Sequence, residues 1–444
     1  MTVSRTICAG FLTLIAVGTL LLMLPFSTAS GDWNSPLVAL FTATSAVCVT
    51  GLIVVDTGTY FSSFGQGVVL TLIQLGGLGY MTATTLLLLL VGRKLCLKDR
   101  LAIQQAMETA ELANVNKLLI SIISMTLVFE ITGALLLIPT FREDFSFGRS
   151  LWLSIFHSIS AFNNAGFSLF SDSLVQYAES AWPMAIVSAL IILGGIGYQV
   201  IMEAFIWGRD RLQGRKEHTV FSLHFRIVAS TTVALLLIGT LSFLAIEYDN
   251  PETLAGSGFG VKLLLAGFQS VVMRTAGFNS IDIGAMETSA LFVAIALMFV
   301  GASPGSTGGG AKTTTIRILL ASTLAALRGK EEVNCYQRQI PTARVLKALA
   351  VVVASAISIV IITTCISVTD PDLTFISILF EAVSAFATVG LSTGITADLS
   401  TLGQLFIIIT MYIGRVGILL LISALLGDPS PSAIHFPEED LLTG

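Results

Sequence analysis

Apolar residues run along this chain in blocks of membrane length, separated by short polar or glycine-rich stretches. The blocks 7–24, 66–91, 183–202, 227–246, 348–368 and 402–414 continued to 426 read as helices able to cross a hydrocarbon layer of roughly 30 Å. The block 118–138 carries a single charge, Glu130. An eighth block, 289–301 with 313–327, is broken in its middle by GASPGSTGGGAKTTT, residues 301–315, which holds five glycines and one proline. Four further apolar segments of about a dozen residues are too short to span.

Those short segments lead into four stretches that align: FTATSAVCVTGL (41–52), FHSISAFNNAGF (156–167), GFQSVVMRTAGF (267–278) and FEAVSAFATVGL (380–391). Each ends in glycine followed by Leu or Phe, at Gly51, Gly166, Gly277 and Gly390, spaced 115, 111 and 113 residues apart. Phe stands ten residues before the glycine in three copies; in the third that place is Gly267, with Phe268 beside it. A second glycine cluster follows in each copy: LGGLGY (75–80), LGGIGY (193–198), VGASPG (300–305) and IGRVGI (413–418). The expected fold is all-α and membrane-embedded, with four tandem span–pore-helix–span repeats, eight transmembrane helices around a pseudo-fourfold pore. The repeats fall at 1–92, 117–207, 224–327 with a broken second span, and 344–427, followed by a cytoplasmic tail, 428–444.

Composition agrees. The chain has 444 residues, 54% hydrophobic and 11% charged, too few charges to cover a soluble domain. Five cysteines lie scattered with no metal-ligating spacing. Residues 1–30 could pass for a signal peptide, with Arg5, an apolar core and STAS, but the fourfold pattern needs this segment as its first span. Of the 23 Lys and Arg residues, 17 fall at Arg5 or within 93–117, 208–226 and 316–347, which predicts that these stretches and both termini face the cytoplasm. Arg142, Arg149 and Lys262 lie in the opposite connections, which carry Asp32, Asp144, Glu252, Asp370 and Asp372. Arg274, Lys312 and Arg415 fall at membrane depth, where an ionisable group is expensive and points to function; a snorkelling or paired structural charge is the alternative for each.

Non-helical backbone at membrane depth is tolerated where protein buries it or where it lines an aqueous path. Glycine adopts positive φ freely, so four such loops can turn their carbonyls toward one axis and replace the water shell of a cation. The short helix before each loop aims its negative end the same way. The predicted ion-binding residues are therefore Val49, Thr50 and Gly51; Asn164, Ala165 and Gly166; Thr275, Ala276 and Gly277; and Thr388, Val389 and Gly390, with backbone as ligand. The competing reading, glycines that only let helices pack closely, explains one copy better than four.

Four span–pore–span units with one such glycine each resemble the Trk/Ktr/HKT superfamily of potassium transporters, and most of all its KtrB-type membrane subunit. TSAVCVTGL, AFNNAGFSLF, RTAGFNS and ATVGLSTG carry the likeness, which covers roughly residues 5–427. The resemblance implies a filter in which Gly51, Gly166, Gly277 and Gly390 hold potassium, with sodium as a further candidate ion. Some plant members with serine in the first filter pass sodium, and glycine stands here at 51. It also implies a homodimer in the cell (inner) membrane, controlled by a cytosolic KtrA-like ring of nucleotide-binding subunits. The basic segments 93–117, 208–226 and 328–347 could meet that ring or serve as topology signals near anionic membrane lipid.

Residues 301–315 superficially match a nucleotide-binding loop, GxxxxGK[ST]. Aligned on Lys312 and Thr313, Ser306 and Ala311 occupy the required glycine positions, and no soluble strand precedes. The stretch instead breaks the second span of the third repeat, with Gly301 aligned to Gly77, Gly195 and Gly414. It resembles the family's intramembrane gating loop, with Gly305, Gly308, Gly309, Gly310 and Lys312 as gate residues and Arg415 as the cavity arginine. A guanidinium stays charged at any biological pH; two unit charges about 6 Å apart at an effective dielectric near 20 interact by roughly 3 kcal/mol, about two orders of magnitude in rate. Arg415 is expected to bond groups within 303–312. Arg274 is expected to turn behind the filter and pair with Glu381.

A sodium-coupled secondary transporter is the alternative function; those folds break helices in corresponding halves, whereas here one broken span is expected. No HExxH, GxSxG or paired intramembrane aspartate motif suggests an enzyme, and nothing suggests nucleic acid.

Overall fold

The computed structural model describes residues 3–79, 115–214 and 221–427. The end of the first repeat's second span, most of the basic stretch 93–117 and the tail 428–444 lie outside the described residues.

The described chain is helical but for one small antiparallel hairpin, Asn334–Cys335 with Arg338–Gln339. Each repeat begins with a long apolar helix: α1 (Val3–Met23), α4 (Val115–Asp144), α8 (Leu223–Glu247) and α12 (Thr342–Thr369). Among the described residues these are the four helices long and apolar enough to cross a membrane unaided. Each is followed by a short apolar helix: α2 (Pro36–Cys48), α5 (Phe147–Phe162), α9 (Phe259–Val272) and α13 (Phe375–Phe386). At 12 to 16 residues these reach partway only. Phe41, Phe156, Phe268 and Phe380, the aromatic positions of the repeat, are all sealed in the core.

The chain then turns back into α3 (Ser63–Gly77), α6 (Ala181–Ile196) with α7 (Tyr198–Leu212), α10 (Thr288–Phe299) with α11 (Thr313–Leu327), and α14 (Thr401–Val416) with α15 (Ile418–Leu426). Serine hydroxyls cap α3 and α14, Ser62 accepting from the Gly65 amide and Ser400 from the Gly403 amide, so one first-turn donor of each helix is satisfied.

The packing closes on itself. Each repeat's first long helix lies against its own short helix: α1 on α2, α4 on α5, α8 on α9, α12 on α13. Each returning helix lies against the next repeat's short helix: α3 on α5, α6 on α9, α10 on α13, and α14 back on α2. The last repeat thus meets the first, and the four short helices stand inside a ring of longer ones.

One expectation is corrected here. The returning helix is broken in more than the third repeat: α6 and α7 meet at 106°, and α14 and α15 at 93°. The pivots are Gly197, with φ +94°, and Gly417, with φ +87°, values that side-chain-bearing residues rarely adopt. Apolar continuity through 183–202 and 402–426 concealed both breaks, because hydropathy records side chains and not backbone direction.

Candidate functional site

The four short helices end alike. Val49, Asn164 and Thr388 take φ of +56°, +58° and +51°, and their amides bond the carbonyls of Ala46, Ala161 and Ala385. The next amides, of Thr50, Ala165 and Val389, reach back to the carbonyls of Ser45, Ser160 and Ser384, each at 2.8 Å. This is the Schellman closure, in which a left-handed residue stops a helix and satisfies its last carbonyls. The third copy differs in bonding but not in shape: Thr275 has φ +65°, and the Ala276 amide bonds the Val272 carbonyl. Branched Val and Thr are poorly suited to this region, at a cost of about 1–3 kcal/mol each, so the surrounding packing imposes it.

Serine six residues before the glycine holds the turn. The Ser45 and Ser384 hydroxyls each accept from the amide of Gly51 or Gly390 at 3.1 Å, and the Ser160 hydroxyl donates to the Phe167 carbonyl at 2.7 Å. Sequence reasoning missed these residues although their signal was present: serine stands at this place in three of the four aligned stretches, with Val271 in the other.

The glycines follow with φ of +96°, +70°, +70° and +90°. A β-carbon at Gly51 would stand 2.5 Å from the Ala165 carbonyl oxygen, one at Gly166 2.8 Å from that of Ala276, one at Gly277 2.6 Å from that of Val389, and one at Gly390 2.0 Å from that of Thr50. Each glycine therefore abuts the preceding residue's carbonyl in the next repeat, and the fourth abuts the first. All twelve predicted filter residues meet in this closed, solvent-excluded ring. The Asn164 amide lies between the Thr275 hydroxyl at 3.4 Å and, in the orientation its neighbours favour, the carbonyls of Ile191 and Ala161, each at 3.2 Å. The hydroxyls of Thr50 and Thr388 have no hydrogen-bond partner among the described residues.

Residues 300–312 fold into a compact loop beside the ring. It closes on itself through a bridge between Val300 and Ala311 and a bond from the Gly301 amide to the Ala311 carbonyl at 2.9 Å. Gly308 and Gly309 press on the ring: a β-carbon there would stand 2.1 Å from the Thr275 hydroxyl and 2.3 Å from that of Thr388. Gly310 packs on Ala387. The second repeat holds the other side, where the Ser303 and Thr307 amides bond the carbonyls of Gly195 and Gly194, and the Tyr198 amide bonds that of Gly305. Lys312 turns back to the Gly308 carbonyl at 2.9 Å.

Arg415 completes the attachment. Its guanidinium donates to the carbonyls of Thr307 in the loop and Gly76 in α3, with Gly77 at 3.4 Å. The loop is thus tied to groups from all four repeats, and the six predicted gate residues lie together.

Two placements differ from expectation. Gly76, Gly194 and Gly414 are the equivalent packing positions: a β-carbon at each would stand 1.9–2.0 Å from the carbonyl of Val47, Phe162 or Phe386, four residues before its repeat's ring glycine. In the first two repeats the alignment through Gly77 and Gly195 is thus displaced by one residue. Arg274 does not pair with Glu381. Its buried guanidinium faces a cavity lined by Ile191, Ile192, Gly195, Leu236 and Val271, and Nε and Nη2 have no hydrogen-bond partner among the described residues. Glu381 instead accepts from the Thr396 hydroxyl. The cause is the direction of packing: the side chain three before the ring glycine points into the joint with the preceding repeat, whereas Glu381 belongs to the following one.

Comparison with known proteins follows the same architecture. The family model described as "TrkH: Cation transport protein" matches residues 3–433. The chain is 39% identical to the Ktr system potassium uptake protein B of Bacillus subtilis, covering 99% of this chain and 96% of that one. It is 38% identical to the Ktr system potassium uptake protein B of Vibrio alginolyticus, over 99% and 94%. It is 39% identical to the potassium/sodium uptake protein NtpJ of Enterococcus hirae, over 99% and 97%. In fold it is similar to the crystal structure of the potassium transporter TrkH from Vibrio parahaemolyticus, with a TM-score of 0.73 at 19% identity, over 95% of this chain and 85% of that one. With a family match along almost its entire length and relatives at this identity, the chain belongs to the TrkH/Ktr family of cation transport proteins.

Proposed function

We propose that this protein takes up potassium through a channel-like path in the cell membrane, with the ring at Gly51, Gly166, Gly277 and Gly390 as its selectivity filter. The observation that carries the reading is the closure of that ring: four glycines at positive φ, each against a main-chain carbonyl of the next repeat. Main-chain oxygens held by four helix ends supply the field that a dehydrated monovalent cation needs. The unpartnered hydroxyls of Thr50 and Thr388 add ligand capacity beside them. The names of the relatives, potassium uptake proteins, point to the same ion.

In this reading the chain crosses the membrane eight times, counting each bent or broken pair once, with both termini cytoplasmic. The loop 300–312 is the gate. Its glycines leave room to sit against the ring threonines, and Arg415 both latches the loop and repels a passing cation. Relatives named as protein B of a Ktr system support a companion subunit, here a cytosolic nucleotide-binding ring, acting on a homodimer. The breaks at Gly197 and Gly417 remove one argument against a rocking transporter, but four same-direction repeats closing head to tail favour a fixed central path over two inverted halves.

The test is potassium uptake by cells lacking their own transport systems. Expression of this chain should restore growth at low potassium, and a chain that supports neither growth nor potassium influx while present in the membrane contradicts the proposal.

A further inference from the structure

Glu130 is a buried carboxylate in the middle of α4 that neither filter nor gate has used. Among the described residues no cation pairs with it; the ion pair found there is Arg209 with Asp210. Two amides hold it instead. Oε1 accepts from Asn163 Nδ2 at 3.0 Å, and Oε2 accepts from Gln74 Nε2 at 3.3 Å. The amides also join each other, Asn163 Nδ2 donating to Gln74 Oε1 at 3.0 Å. The Glu130 main-chain carbonyl accepts from the Ser158 hydroxyl at 2.7 Å, which fixes α4 on α5 at the same level.

The two amide partners sit at consequential places. Asn163 directly precedes Asn164, the left-handed residue that turns the chain into the second repeat's ring segment. Gln74 lies one helical turn or less before Gly76 and Gly77, whose carbonyls take the Arg415 guanidinium. Gly77 gives Asn163 its room, since a β-carbon there would stand 1.9 Å from Asn163 Oδ1. One carboxylate therefore connects the ring segment of the second repeat to the helix end that anchors the cavity arginine. Corresponding places three before the ring glycine hold Cys48, Arg274 and Ala387, so this polar joint is special to the first and second repeats.

We infer that Glu130 is a positioning residue for ion selection, fixing the Asn163–Asn164 turn against the Gln74–Gly77 helix end so that ring and Arg415 anchor keep one register. The inference rests on the filter reading above. A carboxylate without a countercharge in a membrane core is expensive, and apolar packing would fill the joint at lower cost. What apolar packing cannot do is direct two amides at once. Releasing them lets the chain at Asn163 and Asn164 shift, and with it the start of the second repeat's ring segment.

The test uses the full chain in liposomes, reading potassium, rubidium and sodium flux together with apparent potassium affinity. Removing a charge-assisted bond at each amide in Glu130→Ala should lower the potassium-to-sodium ratio about tenfold, with the protein still monodisperse and of native yield. Glu130→Gln keeps one acceptor for Asn163 and should recover part of that ratio; it decides the matter if the alanine variant does not fold. Thr71→Ala, exposed on α3, is the control expected to leave the ratio unchanged. A folded Glu130→Ala or Glu130→Gln protein with wild-type ion ratios and affinity overturns the inference. Gly166→Ser run alongside separates the two claims: if it shifts the ratio while the Glu130 variants do not, the positioning role fails alone, and if it too is silent, the filter reading fails.

Discussion

At each ring position the glycine has neither room for a β-carbon nor a backbone angle that would accept one, while the residue two before it carries a side chain in the same left-handed region. The first feature lets carbonyls of neighbouring repeats approach; the second stops each short helix at the ring. The serines at 45 and 384 keep the Gly51 and Gly390 amides satisfied in a place without water. Ser384→Ala leaves a buried amide unpaired, at about 1–3 kcal/mol. The expected result is a measurable loss of thermal stability and of potassium-over-sodium preference, checked by melting and flux in one preparation. An unchanged melting point and ion ratio would mean that the hydroxyl bears no weight. The ring glycines were legible in the sequence because four copies at near-constant spacing leave little to chance; the serines six residues before them were missed although three copies carry one. The Arg274 environment was not legible, because one aligned segment does not reveal which neighbouring repeat its side chain will face.

At the scale of elements, the returning helices are where the repeats depart from a straight apolar rod. Glycines at 197 and 417 redirect the helices sharply, and residues 300–312 do so in the third repeat by leaving helical structure altogether. The loop was legible, since five glycines, a proline and a lysine inside an apolar block admit few readings. The bends were not, and the adjacent pairs Gly76–Gly77 and Gly194–Gly195 hid the true register, because either member fits a pattern made of letters and only one touches a carbonyl. Arg415→Ala removes the bonds to Thr307 and Gly76 and the positive charge together. Cation flux should rise, by up to about two orders of magnitude if the charge is the main barrier. Deleting 305–310 should raise it as well, and unchanged flux in both proteins would reject the gate. Gly309→Ala tests fit without deleting anything: the methyl group overlaps the Thr388 hydroxyl, so the loop must shift and basal leak should increase, read as potassium efflux from loaded liposomes.

At the scale of the whole molecule, one chain builds a ring that elsewhere would need four subunits, and the head-to-tail packing of each returning helix on the next short helix, with α14 on α2, closes it. Because the repeats differ in sequence, the ring has four unequal walls: among the described residues, the third repeat alone opens into a loop, and the joint of the first and second alone holds a carboxylate bridging two amides. Substitutions at equivalent positions should therefore differ in degree but agree in kind. The most direct measurement is the potassium-to-sodium flux ratio of purified protein in liposomes, for the native chain and for glycine-to-serine changes at 51, 166, 277 and 390 made one at a time. The account predicts strong potassium preference in the native protein and a reduced ratio in each of the four variants; native preference surviving in all four would contradict it.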